Sequence, residues 1–487
     1  MKKMYLFLLF FIFFSFTFSQ IPKVTRWMGP YKKKSKILKN YKRGLDLSEI
    51  YKSSNFNSHK RRTLIFFENN LYGELKISFV NDYFKELEKS SYSIDVFEYH
   101  SGTPEEIKNF VKSYYNSTCS LDGVIFIGDL PYVVYEMIDD WGIGSSEYDD
   151  FACDLFYMDL TGTWEDVGDC DECEADNGKY DKIEDSGNNF LEIWVSRIFP
   201  GHMTDHQEYI DVINNYLERV AKFREKEVLT YDTALIYDDD DWDDLRGEDV
   251  YNLLKLFEED KINAPAENPK GNVCTAYNYK TEELPRNYQM VYLRSHGYPG
   301  GHGFYENFRQ DFNYVFLNDY LSKVGNVAFY LLFVCSGCDF SSTDNTMGFL
   351  GGRTIFNEHG GLLSLGSTKT GGIWDDAYFF DKLSQPESFG RGFVYWLNNA
   401  LKDYPDIGPP WWYGMVLIGD GSLYFHPHRM GDLNCDGKID AVDTQLLAQY
   451  LISNIGDNEL DSPSADINMD GKINTVDLLE LMKELSQ

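Results

Sequence analysis

The sequence has few basic residues for its length. Its 487 residues include 45 Lys and Arg against 78 Asp and Glu, which gives a formal net charge of -33 at pH 7. A protein this acidic repels the phosphates of nucleic acids and the headgroups of anionic lipids, and its charge favours calcium binding. Nucleic acid is therefore not expected as a partner.

Cysteine is too sparse for a small disulfide-stapled scaffold, since the chain contains only 8. The C-x-x-C pair Cys170 and Cys173 is followed by no paired histidines, and the next cysteines with this spacing, Cys335 and Cys338, lie far along the chain. A structural zinc site needs four ligands. We therefore expect this pair to form a short disulfide or to remain as two exposed thiols.

Long apolar runs are missing after the N-terminus. At the N-terminus, Lys2 and Lys3 precede the apolar run Met4–Phe14, and small residues follow it. This pattern predicts a signal peptide at residues 1–19 with cleavage before Gln20. An uncleaved anchor is the alternative, although the run is short for a span of about 20 residues. The sequence thus predicts a secreted, extracellular protein without stable membrane association.

A basic segment follows the predicted signal peptide. Residues 21–62 contain 13 Lys and Arg but only two acids, Asp46 and Glu49. They show little apolar periodicity, so they predict a basic leader or propeptide at residues 20–62. A solvated tail is the alternative.

The body of the chain alternates between strand and helix patterns. Thr63–Phe67 and Leu121–Asp129 are short apolar runs typical of buried strands, and Leu75–Lys89 has helical periodicity. Such alternation predicts an α/β fold of mostly parallel sheets flanked by helices. We expect two subdomains, at residues 63–227 and 228–427.

Two acidic stretches interrupt the body. Residues 139–189 are dense in Asp and Glu, and the run Asp238–Asp241 follows the predicted strand Thr233–Tyr237. Crowded carboxylates repel one another unless they are solvated or bound to a cation. We expect a solvated loop at the first stretch, with a structural calcium site as the alternative. The second is interpreted as a cleft wall, a calcium site or a solvated turn.

Two apolar runs end in reactive side chains. One covers Met290–Gly297 and ends at His296, and the other covers Val327–Gly337 and ends at Cys335. Both are predicted to be buried strands, and neighbouring parallel strands bring their carboxyl ends to the same edge of a sheet. A cysteine and a histidine would then face each other across one cleft, as nucleophilic catalysis requires.

The predicted roles follow from the chemistry of these groups. Cys335 would act as the thiolate nucleophile, and His296 would protonate the leaving amine and activate water. The backbone N–H groups of Gly297 and Cys335 are candidates for an oxyanion hole, because glycine lets the backbone approach a substrate carbonyl. Cys338 and His302 are the alternatives to this pair. His359 precedes a predicted strand and is therefore expected at the wrong edge of the sheet.

An internal repeat occupies the C-terminus. A twelve-residue loop beginning at Asp432 recurs 34 residues later, with oxygen-bearing side chains at positions 1, 3, 5, 9 and 12 and glycine at position 6. This is the spacing of a calcium-binding loop. The predicted ligands are Asp432, Asn434, Asp436, the Lys438 carbonyl, Asp440 and Asp443, and then Asp466, Asn468, Asp470, the Lys472 carbonyl, Asn474 and Asp477.

Each loop runs into a predicted amphipathic helix, at Thr444–Ile452 and at Leu478–Leu485. The twelfth residue is Asp rather than the Glu of an ordinary EF-hand. The tandem resembles a type I dockerin, which we place at residues 428–487. The resemblance implies two calcium ions and a cohesin partner on a scaffoldin, in a cellulosome-type complex. Ala441-Val442 and Thr475-Val476, just before the two twelfth ligands, differ, so the two symmetry-related binding modes need not be equivalent.

The body also resembles a known family. The segments Leu121–Asp129, Asp154–Leu160, Ile193–Ile198 and Cys335–Phe340, with the strand that ends at His296, are similar to the gingipain family of caspase-like cysteine peptidases. The resemblance implies a caspase-like fold, a Cys/His dyad, and cleavage of polypeptides. Where gingipains prefer basic side chains, an acid lies in the primary pocket; here Asp154, Asp159 or the run Asp238–Asp241 are the candidates.

Together these patterns predict a secreted cysteine endopeptidase carried on a scaffold by its dockerin. The alternative is a catalytically inactive, peptidase-like binding module displayed in the same way. A carbohydrate-active enzyme is a third hypothesis, which would require a pair of carboxylates in an aromatic-lined groove.

Overall fold

One large β-sheet forms the centre of the structure. The structure, a computed structural model, describes residues 41–53, 61–90, 92–118, 121–140, 146–184, 191–226, 231–242, 244–265, 273–307, 310–321, 324–343, 346–426, 430–434, 436, 438–452, 455, 462–468 and 472–485. The predicted signal peptide at residues 1–19 lies outside these ranges. Within them, no helix combines the length and the apolar character needed to cross a membrane.

The described residues contain 18 strands. They are β1 (Asp46–Lys52), β2 (Arg61–Phe67), β3 (Tyr92–Ser101), β4 (Leu121–Ile127), β5 (Val134–Asp140), β6 (Ser146–Ala152), β7 (Thr163–Glu165), β8 (Lys182–Glu184), β9 (Trp194–Ile198), β10 (Ala234–Asp238), β11 (Ile262–Asn263), β12 (Tyr288–Arg294), β13 (His296–Tyr298), β14 (Gly301–Glu306), β15 (Asp311–Phe316), β16 (Val327–Phe333), β17 (Leu363–Ser367) and β18 (Met415–Gly419).

Thirteen α-helical segments accompany these strands in the described ranges. They are α1 (Leu71–Glu74), α2 (Ile77–Lys89), α3 (Pro104–Thr118), α4 (Leu155–Met158), α5 (His206–Arg224), α6 (Arg246–Leu253), α7 (Ala276–Asn278), α8 (Leu350–Ile355), α9 (Ala377–Leu383), α10 (Phe389–Asp403), α11 (Gly408–Trp412), α12 (Ala441–Leu451) and α13 (Thr475–Glu484).

The main sheet consists of two parallel halves that run in opposite directions. Its strand order is β1-β3-β2-β4-β9-β18-β17-β16-β12-β10-β11. Neighbours from β3 to β18 are parallel, and so are neighbours from β17 to β11, whereas β17 and β18 pair antiparallel. The prediction of a mostly parallel α/β fold is confirmed. The sheet is continuous across both predicted subdomains, because β18 from the second pairs with β9 from the first.

The direction of each half decides where a site can form. In the half that contains β10, β12, β16 and β17, all four carboxyl ends lie at one edge of the sheet. The carboxyl ends of β2, β4 and β9 lie at the opposite edge, because the direction reverses between β18 and β17. His296 and Cys335 both follow strands of the first of these halves. His359 precedes β17 and therefore lies at the other end of that strand.

The strands are apolar along their whole length because they lie at the centre of a covered sheet. Every residue of β4, β9, β12 and β17 is buried, as expected for parallel strands that are packed on both faces. One contiguous apolar core includes residues from Leu64 to Phe425. The sheet is therefore a rigid platform for the loops at its edges.

Part of the basic segment belongs to the sheet. Residues of β1 pair antiparallel with β3, and Arg62 in β2 forms a buried ion pair with Asp95, with 2.6 Å between Nη1 and Oδ2. The alternative of a solvated tail is therefore wrong for residues 46–52 and 61–62. Backbone pairing explains the difference, because an edge strand needs no strong apolar pattern. The boundaries of the leader and of the subdomains stay predictions.

Within the described residues, the acidic stretch at residues 139–189 is a solvated loop only in part, at the largely exposed turns of residues 166–178. It contains β6, β7, β8 and α4, and a disulfide joins Cys170 to Cys173, one of the two states expected for that pair. Several carboxylates in it are buried against bases or backbone N–H groups. Asp139 lies 2.9 Å from Nζ of Lys369, and Asp181 accepts a hydrogen bond from the N–H of Gly168. Protein groups, rather than solvent, stabilise these charges.

A small helical unit forms the C-terminus. Its helices α12 and α13 pack around Leu433, Leu447, Ala465 and Leu481. Both helices begin three residues earlier than the periodicity predicts. Asp440 and Asn474 explain the difference, because their side chains cap the helix starts by accepting from backbone N–H groups.

Candidate active site

The pairing of β12 with β16 brings His296 and Cys335 to the same edge of the sheet. The two strands are parallel with Arg294 opposite Phe333, and the N–H of Ser295 donates to the Phe333 carbonyl at 3.1 Å. Each reactive residue therefore lies two positions beyond the last matched pair of its strand. This neighbouring placement is the one that the two apolar runs predicted.

His296 is held on several sides. Its ring is packed by Trp242 and Tyr305, with ring centroids 4.7 Å and 5.3 Å away, and it is 1% exposed. Its Nε2 lies 2.9 Å from Oδ2 of Asp241. A carboxylate only accepts hydrogen bonds, so Nε2 carries the proton in this contact. The imidazole consequently has one defined tautomer and one defined orientation.

Asp241 is a functional candidate that sequence reasoning did not assign to the histidine. It belongs to the run Asp238–Asp241, all of whose members are buried, so a solvated turn is wrong for this run. The run follows β10, which pairs with β12, and the N–H of Asp239 donates to the Arg294 carbonyl at 2.8 Å. The signal in the sequence was an acid at the carboxyl end of a strand that neighbours the histidine strand.

Asp239, Asp241 and His296 form a compact group in the described part of the chain, with ligand atoms within 4.8 Å of one another. Protein hydrogen bonds account for this closeness. Asp239 accepts from the N–H of Asp241 at 3.0 Å and from the N–H of Tyr305 at 2.6 Å, and Asp241 binds His296. Burial raises the pKa of Asp239 to about 8, partly offset by these N–H donors. Asp241 thus links the histidine to a hydrogen-bonded group of buried acids.

Cys335 begins a tight turn at the end of β16. It is buried and carries a thiol rather than a disulfide. The next residue, Ser336, has a φ of 50°, the left-handed conformation that is uncommon outside glycine. Its N–H donates to the Lys369 carbonyl at 2.9 Å, which holds the turn against the loop after β17. Such a retained strained turn is typical of functional sites.

Gly297 lies against the residue that precedes the cysteine. A Cβ at this position would be 2.5 Å from Cγ1 of Val334 and 2.6 Å from the Gly301 carbonyl. No larger residue fits without displacing one of them. The close approach holds the backbone of Gly297 against Val334, the residue before Cys335.

Cys338 and His302, the alternatives to the proposed pair, are both buried in the core. Cys338 is buried beside Gly351 and Gly366, at each of which a Cβ would come within 2.7 Å of its Sγ, and burial raises the pKa of its thiol to about 12. His302 lies in β14, on the face of that strand opposite to the one that carries His296. It lies between the hydroxyls of Ser295 and Tyr320, at 3.1 Å and 2.9 Å. Burial lowers the pKa of His302 to about 3, so it stays neutral at ordinary pH.

The acids considered for a specificity pocket are engaged elsewhere. Asp154 forms a bidentate buried ion pair with Arg197, at 2.6 Å and 2.7 Å. Asp159 accepts from the N–H of Gly162 at 2.6 Å and from the indole N–H of Trp164 at 2.8 Å. Arg197 neutralises Asp154, and neutral N–H donors occupy the carboxylate oxygens of Asp159.

A groove beside Trp194 does not support carbohydrate hydrolysis. It is lined by aromatic residues including Trp194 and by three acids. Asp122 is paired with Arg391 at 2.7 Å, Glu387 with the same arginine at 3.1 Å, and Glu192 accepts from the N–H of Leu160 at 2.7 Å. The groove therefore lacks a pair of uncommitted carboxylates.

In the two C-terminal loops, the described residues form hydrogen bonds to the twelfth residue of each loop. In the first, Asp443 accepts from the N–H groups of Leu433 and Asp440, both at 2.7 Å. In the second, Asp477 accepts from the N–H groups of Asn468 at 3.2 Å and Asn474 at 2.8 Å. Asp470 lies outside the described residues.

The donor set of these loops fits calcium. Four carboxylates are buried there, those of Asp432, Asp443, Asp466 and Asp477. Buried carboxylates are costly without a counter-charge, and oxygen donors are the ligands that calcium prefers.

Comparisons with known proteins agree with this geometry. The sequence model of peptidase family C25 matches residues 85–426, and that of the dockerin type I domain matches residues 430–486. Among solved structures, that of the Arg-specific cysteine proteinase gingipain R has a similar fold, with a TM-score of 0.51 and 14% sequence identity. The match covers 77% of this chain and 80% of that one. No curated protein sequence matched the chain.

The surroundings of His302 predict a pH-dependent stability. Its pKa is about 3 when folded against an ordinary 6.5, so between pH 6.5 and 5 the unfolded chain takes up a proton that the folded chain does not. Stability therefore falls as the pH falls through this window. We expect the loss between pH 7 and pH 5 to be about 2 kcal/mol smaller in His302→Gln, measured by urea unfolding.

The exposed His359 provides the matched control for this measurement. His359→Gln should retain the wild-type pH dependence. Equal pH dependence in His302→Gln and the wild-type protein would show that His302 can be protonated in the folded state, and would restore it as a rival general acid.

Proposed function

The chain belongs to peptidase family C25, and on that premise we propose that it is a secreted cysteine endopeptidase with Cys335 as nucleophile and His296 as general acid and base. The observation that carries the proposal is the register of β12 and β16, with Arg294 opposite Phe333. It supports a cysteine and a histidine acting together at one edge of a rigid sheet.

Each step of peptide hydrolysis has a candidate group. The Cys335 thiolate attacks the carbonyl carbon, and the N–H groups of Gly297 and Cys335 donate to the developing oxyanion. His296 gives a proton to the leaving amine as the C–N bond breaks, which leaves a thioester. Water then attacks the thioester, His296 takes its proton, and the thiolate leaves as the C–S bond breaks.

Asp241 acts in this scheme as a positioning residue. Its carboxylate accepts the Nε2 proton of His296 at 2.9 Å, so Nδ1 is the nitrogen that exchanges protons with the substrate. The negative charge also stabilises the imidazolium that forms before the leaving group is protonated. The rings of Trp242 and Tyr305 restrict the imidazole further.

We propose no preference for arginine or lysine at the cleavage site. Gingipain R is described as Arg-specific, but the acids that could receive a basic side chain here have other partners. Asp154 binds Arg197, Asp159 binds backbone and indole N–H groups, and Asp239 accepts two backbone N–H groups.

We propose that the dockerin attaches this peptidase to a cohesin of a scaffoldin, in an extracellular, cellulosome-type complex. Two calcium ions would be held by the carboxylates and amides of the two loops and by the carbonyls of Lys438 and Lys472. These ions would neutralise the buried carboxylates. The helices then expose apolar side chains that suit a protein partner: Val442, Val476, Leu479 and Met482, each 45–57% exposed.

The disulfide between Cys170 and Cys173 supports secretion, since disulfides persist in oxidising compartments. The signal peptide predicted at residues 1–19 is the second support. Further calcium sites in the body are not proposed, because bases or N–H groups contact the buried carboxylates of Asp139, Asp154, Asp181 and Asp239.

The nucleophile can be tested with two matched variants. Cys335→Ala should lower the rate of casein cleavage by more than about 10⁴-fold, because the thioester can no longer form. Cys338→Ala, three residues away, should keep activity, since its thiol is buried among backbone and glycines. A peptidyl chloromethyl ketone should label Cys335 alone, as mapped by mass spectrometry. Cleavage that survives Cys335→Ala would exclude the proposed chemistry.

The role of Asp241 predicts a specific kinetic signature. Asp241→Asn preserves the shape but loses the charge, so kcat should fall by about 10²–10⁴-fold while KM changes little. The pH dependence of kcat should change with it, because the imidazolium loses its counter-charge. Asp260→Asn, at an exposed site, should leave both parameters unchanged. Unaltered kcat in Asp241→Asn would assign the aspartate a purely structural role.

The dockerin can be separated from the peptidase by mutation. The double variant Asp443→Ala/Asp477→Ala removes the twelfth ligand of both loops, so titration calorimetry should find two fewer tight calcium ions than in the wild-type chain. Retention by immobilised type I cohesins should be lost, and casein cleavage should persist. Glu480→Ala, in α13 but outside the loops, is the control. Undiminished calcium binding in the double variant would refute the ligand assignment.

A further inference from the structure

A three-stranded sheet begins at the candidate catalytic histidine. Strands β13, β14 and β15 are antiparallel neighbours, with His296 opposite Gly303 and Gly303 opposite Tyr314. One face of this sheet packs on the core through His302, Phe304 and Val315, which are all buried. The other face carries His296, because residues directly opposite one another share a face and successive residues alternate.

The face that carries His296 is aromatic. The register places Tyr298, Tyr305, Phe312, Tyr314 and Phe316 on it, and we refer to these five residues as the aromatic strip. Their rings form a continuous series that starts at the histidine. Centroids are 5.3 Å apart from His296 to Tyr305, 5.0 Å from Tyr305 to Phe312, 5.0 Å from Phe312 to Tyr314, and 5.4 Å from Tyr314 to Phe316.

Glycines in the central strand make room for these rings. Gly301 and Gly303 are the residues of β14 that share the face with His296 and Tyr314. A Cβ at Gly303 would lie 2.6 Å from the ring of Phe312. The rings therefore lie directly over the backbone of β14 and form a shallow apolar surface rather than a ridge of side chains.

The strip becomes more exposed with distance from the histidine. Tyr305, Phe312 and Tyr314 are half-buried, and Phe316 at the far end is 47% exposed. A contiguous apolar surface that is partly exposed, as this one is, is a common feature of binding sites. Flat aromatic surfaces gain most from stacking with another ring or with a large apolar side chain.

The position of the strip indicates which partner it binds. His296 is the group that protonates the leaving amine, so a surface that runs outward from His296 lies along the leaving-group half of the substrate. A second copy of the chain is a poor occupant, because two chains with net charges of -33 repel each other. An uncharged aromatic or aliphatic substrate side chain meets no such repulsion.

We propose that the aromatic strip binds the segment of a polypeptide substrate that follows the cleaved bond and selects aromatic or large aliphatic side chains there. The inference rests on the proposed peptidase function and adds a specificity determinant to it. Tyr314 and Phe316, the stacked pair at the exposed end, supply the contact surface farthest from the chemistry. They act on substrate binding and not on the bond-breaking steps.

Cleavage-site profiling tests the strip without knowledge of the residue before the cleaved bond. A synthetic peptide library with all residues at every position is digested, and the products are sequenced by mass spectrometry. The wild-type chain should show enrichment of Phe, Tyr, Trp and Leu within the second to fourth positions after the cleaved bond. Tyr314→Ser/Phe316→Ser should lose this enrichment and keep the preference before the bond.

Kinetics on two matched peptides complete the test. For a peptide with an aromatic residue at the selected position, KM should rise by about tenfold in the double variant with kcat unchanged. For the same peptide with serine there, neither parameter should change. Tyr251→Ser, at an exposed tyrosine on α6 outside the strip, is the control and should behave like the wild type.

The outcomes of these experiments distinguish the proposed role of the strip from the proposed peptidase activity. Cleavage by the wild-type chain without enrichment, or enrichment that persists in the double variant, would overturn the strip and leave the peptidase intact. No cleavage of the library by the wild-type chain would overturn both. If gel filtration shows that the wild-type chain is a dimer and the double variant a monomer, the strip is an interface between copies and the proposal is wrong.

Discussion

The candidate site depends on one constraint, the parallel pairing of β12 with β16 in a single register. With Arg294 opposite Phe333, the two reactive residues that follow these strands must lie beside each other. A shift of one residue would turn every side chain of a strand to the other face of the sheet, and complete burial of β12 makes such a shift costly. The same packing that stabilises the sheet thus also aligns the proposed dyad.

Neighbouring strands add the remaining parts of the site for the same reason. Strand β10 pairs with β12, and the turn after it presents Asp241 to His296. Strand β17 pairs with β16, and the loop after it accepts the N–H of Ser336 through Lys369. Because the strand direction reverses between β17 and β18, the carboxyl ends of β4 and β9 lie at the opposite edge. The proposed chemistry therefore belongs to the half of the sheet that runs from β17 to β11.

The second feature that shapes the structure is the way its many acidic side chains are stabilised. An excess of acids in the body is compatible with folding because many of them are paired inside it, as Asp154 with Arg197 and Asp139 with Lys369. Such buried pairs are expensive to break, so these carboxylates cannot also serve a substrate. The repeat at the C-terminus differs, since its carboxylates are gathered in short loops whose oxygens suit a bound cation.

Local patterns in the chain were enough to establish the α/β class, the strands that precede His296 and Cys335, and the dockerin repeat. These features follow from periodicity, turn residues and ligand spacing, which involve residues close in sequence. The family comparison confirms the resemblance, while the individual site residues stay predictions. Three-dimensional packing alone decided that Asp241 contacts His296. It also decided that Asp154 pairs with Arg197 and that Asp159 accepts hydrogen bonds from N–H groups. It also decided that residues 46–52 pair with the sheet and that an aromatic face starts at the histidine. Those contacts join residues far apart in the chain, and a carboxylate or an aromatic ring carries no local mark of the partner it will meet.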